Sequence, residues 1–167
     1  MTEKIFRNYL EIKSLKDFKE VKKPLENCSI KLVNPKDFQL NKFFYKNIGK
    51  NCHWVDRLVW TDLDWTRYVS DEKLFTYILK HKNEIVGYFE LLFDKDIKEA
   101  EIAYFGILKD YFGKKFGGYL LSIAIKKSFT MGCGRVWVHT CSLDHKNALK
   151  NYLARGMKIF KFETLIR

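Results

Sequence analysis

The chain has 167 residues, 47% hydrophobic and 31% charged, which fits one domain with its own core and excludes wholesale disorder. Lys plus Arg number 31 against 20 for Asp plus Glu, and the net charge of +11 favours phosphate-bearing partners. No apolar run approaches the roughly 18 residues of a membrane span, and the N-terminal MTEKIFRNYLEIKSLKD mixes charges as no secretory signal does, so the expectation is a cytoplasmic protein.

Residues 1–28 read as a mixed-charge N-terminal extension with a short strand at Phe6 to Ile12, either added to a sheet edge or packed on the surface. Residues 29–167 read as the domain proper. Ser29 to Val33 is a strand, Pro35 opens an amphipathic helix through Phe38, Phe43 and Phe44, and Gly49 ends it. The next stretch, Asn51 to Trp65, is dense in aromatics and charges and turns helical only toward Asp64 to Ser70. Strands at Leu74 to Lys80, Glu84 to Phe93 and Glu99 to Leu108 then form an antiparallel meander. A Gly-bearing loop, Lys109 to Lys115, leads into a helix from Phe116 to Met131, whose Leu120, Leu121, Ala124, Ile125 and Phe129 are spaced for packing on a sheet. Gly132 stops that helix. Arg135 to Cys141 is a β-branched strand, Asp144 caps a helix to Arg155, Gly156 closes it, and Met157 to Thr164 is the last strand. The fold class is α/β, with a mixed, mostly antiparallel central sheet flanked by helices.

Only six of the 31 basic residues are arginine, and the lysines are dispersed. That pattern fits usage bias or a general pull on an anionic cofactor at least as well as nucleic-acid binding, which stays a rival reading. The cysteines Cys28, Cys52, Cys133 and Cys141 form no CxxC pair, and with His53, His139 and His145 they match no zinc spacing, so no metal is expected.

The segment Tyr111-Phe-Gly-Lys-Lys-Phe-Gly-Gly-Tyr-Leu-Leu121, the strand Glu101-Ile-Ala-Tyr-Phe-Gly-Ile107 and the helix Ala148-x3-Tyr152-x3-Gly156-Met157 together resemble the GCN5-related N-acetyltransferase (GNAT) superfamily over residues 29–167. Gly117 and Gly118 match the final glycines of its Q/RxxGxG/A signature. Phe112 stands where Gln or Arg is usual, and Lys115 where the first glycine is usual. GYFEL, EIAYFGIL, RVWVHTC, LDH and NYxARG look like a bacterial subgroup of small acetyltransferases of unassigned acceptor. The resemblance implies acetyl-CoA held where the sheet splays, between the strands Glu99 to Leu108 and Arg135 to Cys141. It also implies a small-molecule or peptide amine as acceptor and a monomer or homodimer.

Chemistry assigns the parts. A glycine turn entering a helix gives a pyrophosphate its backbone N–H groups, here with Gly113, Gly117 and Gly118, while Lys114 and Lys115 add charge. By resemblance, His145 joins the cofactor contacts. An amine of pKa about 10.4 must lose a proton at a cost of about 4–5 kcal/mol at pH 7, so a base is the more valuable catalytic group. Alternation puts Glu101 on one strand face with Ala103, Phe105 and Ile107, where burial would raise its pKa toward use as that base. By resemblance, Tyr152 meets the leaving thiolate, and amides near Ile107 and Leu108 polarise the thioester. The resemblance also implies that Trp54, Arg57 and Trp60, with His139, line the acceptor cleft, where aromatics flanking charges could hold a small zwitterion or polyamine. A non-catalytic acyl-CoA sensor on the same fold is the other alternative, prompted by Lys115.

Overall fold

The computed structural model describes residues 2–167, which form seven strands, four α-helices and one 3-10 turn. In chain order these are β1 (Lys4–Ile12), β2 (Cys28–Leu32), α1 (Phe38–Gly49), α2 (Asp62–Ser70), β3 (Leu74–His81), β4 (Glu84–Asp94), β5 (Glu99–Ile107), the turn Lys109–Tyr111, α3 (Phe116–Thr130), β6 (Arg135–Cys141), α4 (Ala148–Ala154) and β7 (Lys158–Ile166). The strands make one sheet in the order β2-β3-β4-β5-β6-β1-β7, antiparallel throughout except where β5 meets β6. Among the described residues no helix is long and apolar enough to cross a membrane.

The N-terminal strand is interior to the sheet, not at an edge or on the surface. Asn8 pairs with Thr140 of β6 on one side and with Phe162 of β7 on the other, and Leu10 and Ile12 are buried. Its partners lie more than a hundred residues away, a distance over which local alternation carries no information. From β1 the chain crosses as a strap over α3 and the end of α4. Val21 N–H donates to Ser122 Oγ at 2.8 Å and Lys19 N–H to Arg155 O at 3.0 Å. Gly156, at φ +99, lies so close beneath the strap that a β-carbon there would overlap the carbonyl oxygen of Asp17.

Helix α3 covers one face of β4, β5 and β6. Leu120, Leu121, Ala124 and Ile125 are fully buried against Phe89, Leu91, Ala100 and Val136. Helices α1 and α2 cover the other face of the meander, where Phe44 stacks on Tyr88 with ring centroids 4.6 Å apart. Two caps differ from expectation. Asp37, not Pro35, starts α1 by accepting the Gln39 N–H. Thr61 and Asp64 form a capping box, so α2 begins at Asp62, ahead of the expected Asp64. The last helix is shorter than the expected run from Asp144 to Arg155. It starts after Asn147, because Asp144 is engaged elsewhere in the loop.

Candidate active site

Strands β5 and β6 pair only at Glu99 with Arg135, Ala100 with Val136 and Glu101 with Trp137. Beyond Glu101 they part, while β6 stays zipped to β1 on its far side. The closed end is pinned by Arg135, which donates to Glu11 at 2.6 Å and Glu99 at 3.2 Å. Opposite β4, register passes from Leu91 with Ile102 to Glu90 with Tyr104, leaving Ala103 as the extra residue of a β-bulge. A bulge bends its strand and reverses the faces after it. Phe105 and Ile107 therefore pack with Ala100 and Ile102 against α3, whereas Tyr104 and Gly106 turn toward α1, Gly106 against Ile48. Glu101 falls on the Tyr104 side. The expectation that it shares a face with Phe105 and Ile107 is corrected by that one inserted residue.

The gap's mouth is made of main chain. Leu108 N–H donates to Val86 O at 2.8 Å, so it is committed to β4, unlike the free amide expected there. Alternation in an antiparallel ladder turns the Ile107 N–H to the opposite edge, into the gap that β6 has left. After the 3-10 turn, Gly113 takes φ +75 and Lys115 takes φ 65 as N-cap of α3, with no side chain capping the first turn. The residue in the usual glycine position thus has the left-handed backbone that favours glycine. A β-carbon at Gly113 would meet nothing within 4 Å, and one at Gly117 only Asn151 Nδ2 at 3.7 Å. Gly118 differs: a β-carbon there would lie 2.6 Å from Arg155 Nη1 and 3.2 Å from Val21 Cγ2, so its missing side chain makes room for the strap. Lys114 Nζ lies 5.5 Å from the Tyr111 ring, and the Phe112 and His145 rings meet edge to face at 5.0 Å. Open glycines, uncapped helix amides and two lysines fit the diphosphate of coenzyme A.

Two ionisable groups flank the gap. Burial pushes the Glu101 carboxyl above its ordinary pKa, and the Arg57 charge pulls it partly back. Tyr152, on α4 with its ring 6.3 Å from that of Phe105, has its phenol pushed up by burial and then by Asp144, so it stays protonated at neutral pH. Asp144 is the staple of this end. It accepts from Thr140 Oγ1 at 2.6 Å, from Cys141 N–H at 2.9 Å and from Trp54 Nε1 at 3.4 Å, tying the loop after α1 to the loop after β6. Cys52 nearby is a buried thiol raised to about 11, a packing group and not a nucleophile.

Three of the four expected acceptor residues fall in one cluster around Tyr104, and the fourth, His139, stands apart on β6. Trp54 packs on Tyr104 at 4.8 Å. Arg57 and Trp60 lie together over α2, the guanidinium carbon 4.6 Å from the Trp60 ring. His139 is exposed on β6 between Tyr9 and Trp137, with ring centroids 5.6 and 6.5 Å away. Being two residues beyond the Trp137 that pairs with Glu101, it shares a sheet face with that carboxylate. Sequence reasoning missed Glu90, which is fully buried and accepts from Arg57, Tyr68 and Asn41. A lone carboxylate inside the apolar run Tyr88-Phe-Glu-Leu-Leu92 is the signal that marks it.

Comparison with known proteins gives the same fold. A GCN5-related N-acetyltransferase from Sphaerobacter thermophilus superposes with a TM-score of 0.73 at 14% identity, over 97% of this chain and 50% of that one. One from Kribbella flavida gives 0.67 at 11% identity, over 96% and 56%. The chain thus spans about half the length of these two. An aminoglycoside acetyltransferase, meta-AAC0020, from an uncultured soil metagenomic sample gives 0.63 at 14% identity, over 77% of this chain and 87% of that one. No curated protein matches the chain. Residues 39–157, which run from α1 through the glycine turn to the end of α4, match the acetyltransferase (GNAT) family, and the chain belongs to that family.

Proposed function

We propose that this protein moves an acetyl group from acetyl-CoA to a primary amine by direct attack in a ternary complex. The observation that carries the reading is the parting of β5 and β6 immediately after Glu101, with an amide-lined glycine turn at the mouth. Coenzyme A, when bound, supplies the activated acyl group. Gly113, Lys114, Lys115 and Gly117 would receive its diphosphate, with the Gly118 amide behind them and His145 beside Phe112 at the rim. Glu101, its pKa raised by burial, takes the proton from the acceptor ammonium. The Ile107 amide donates to the carbonyl oxygen as negative charge builds there. Tyr152, which burial keeps protonated, would donate a hydrogen bond to the departing sulfur. The proton left on the adduct nitrogen passes to that thiolate and the one on Glu101 returns to solvent, so that an ammonium and a thioester give an amide, a thiol and one released proton. Trp54, packed on Tyr104, and His139, on the Glu101 face of β6, would border the acceptor, a small-molecule or peptide amine.

The test has two steps. Acetyl-CoA should raise the melting temperature saturably, by RT ln(1 + [L]/Kd). A free-thiol assay across amino acids, polyamines, aminoglycosides and peptides should then find an acceptor. Saturable binding with no thiol release across the panel would return the acyl-CoA sensor, and no saturable binding would end both readings.

A further inference from the structure

Five aromatic rings surround the Arg57 guanidinium. Its central carbon lies 4.0 Å from the Tyr68 ring centroid, 4.2 Å from Tyr104, 4.6 Å from Trp60, 5.6 Å from Trp65 and 5.7 Å from Tyr45. Behind them Glu90, 0% exposed, accepts from Arg57 Nη1 at 3.4 Å, Tyr68 Oη at 2.6 Å and Asn41 Nδ2 at 2.7 Å. Rings about a cation with a carboxylate at the floor are what recognition of an organic cation requires. Most of the cage and its occupant come from different kinds of structure. Four of the five rings, Tyr45, Trp65, Tyr68 and Tyr104, stand with Glu90 on α1, α2, β4 and β5, fixed by the core, while Trp60 stands on the loop with Arg57. Arg57 stands on the irregular loop between α1 and α2, where Val55 and Leu58 are exposed and Val59 is 85% exposed.

A second buried group is left incomplete. Tyr88 Oη has no hydrogen-bond partner among the described residues, and Glu90, Arg57, Tyr68 and Tyr104 are the groups whose charges act on it. A polar oxygen buried without a partner is destabilising until something completes it.

We infer that this cage is a subsite for an ammonium or guanidinium group of the acceptor, and that in the free protein Arg57 occupies it as an internal stand-in. The inference rests on the acyl-transfer reading and narrows its substrate to an amine that carries a second cationic group. Removing Arg57 from the cage leaves Glu90 buried and unpaired, so only a cationic guest stabilises the loop in its open position. The reactive amine of such a guest is led toward Glu101, which lies on the same face of the sheet as Glu90 and Tyr104.

Agmatine, which joins a primary amine to a guanidinium, is the probe, with butylamine as its single-cation control. In thiol release from acetyl-CoA, the KM for agmatine should be about tenfold below that for butylamine. Arg57→Ala should lower the agmatine KM further, and Glu90→Gln should erase the preference. Equal KM for the two amines in the wild-type protein overturns the inference, whether or not Arg57→Ala folds. A measurement free of turnover separates this from the reaction itself: methylguanidinium titrated into Arg57→Ala and followed by tryptophan emission. A saturable change that is lost on adding Glu90→Gln supports the cage, and its absence from folded Arg57→Ala overturns it. If methylguanidinium saturates but no amine releases thiol, the acyl-transfer reading falls while the cage stands. If both amines react alike, the cage falls while acyl transfer stands.

Discussion

On the α3 side of the gap between β5 and β6 the surface is main chain: a left-handed Lys115, open positions at Gly113 and Gly117, and the first amides of a helix. On the α1 and α2 side it is made of side chains, with five rings and a buried carboxylate closed over a guanidinium. The first region is open and needs few residue identities beyond glycine. The second is closed, and every member depends on the others, because a buried ion pair is stable only while both partners remain. On the proposed reading, the open side should therefore tolerate departures such as Phe112 and Lys115, whereas the closed side should tolerate almost none.

Substitutions can break or sharpen that contrast. The largest effect is expected where the two regions meet. Glu101→Gln should lower kcat by about 10²- to 10⁴-fold, with acetyl-CoA affinity unchanged in a thermal-shift titration. The base must be ionised to act, so wild-type kcat/KM should rise with pH through the elevated Glu101 pKa, and the variant should lack that limb. Next, Glu90→Ala strands Arg57 in the cage and should cost about 3–5 kcal/mol, a fall in Tm of roughly 6–20 °C by calorimetry. An unchanged Tm would show that the closed side is not held by its ion pair. Tyr152→Phe should reduce kcat by roughly tenfold to a hundredfold and leave acetyl-CoA binding intact, and an unchanged kcat removes it from the reaction.

The two glycines then divide the open side. Gly117→Ala should keep stability within about 0.5 kcal/mol and weaken acetyl-CoA by about tenfold. Gly118→Ala, pressed against Val21 and Arg155, should instead cost about 1 kcal/mol in denaturant unfolding. The smallest effect is Lys115→Gly. It relieves a left-handed backbone but frees the unfolded chain, so stability should move by less than about 0.5 kcal/mol while acetyl-CoA binds at least as tightly by calorimetric titration.

The meander, the long helix after the glycine turn and the strand Arg135–Cys141 were legible because each is set by local periodicity and its own turn residues. The glycine turn was legible for the same reason: glycines announce unusual backbone wherever they occur. The α1–α2 segment could be read only as rich in aromatics and charge, since nothing local says which ring faces which cation.

The sequence by itself determined the elements of this protein, its family resemblance and the backbone cradle, all of which depend on residues within a few positions of one another. Only the tertiary structure decided that β1 enters the sheet between β6 and β7, that one extra residue at Ala103 moves Glu101 to the other face, and that Arg57 fills a cage over Glu90. The physical reason is common to all three. Strand register and buried charge pairing are settled by contacts between distant segments, and a shift of one residue reverses every side chain that follows it.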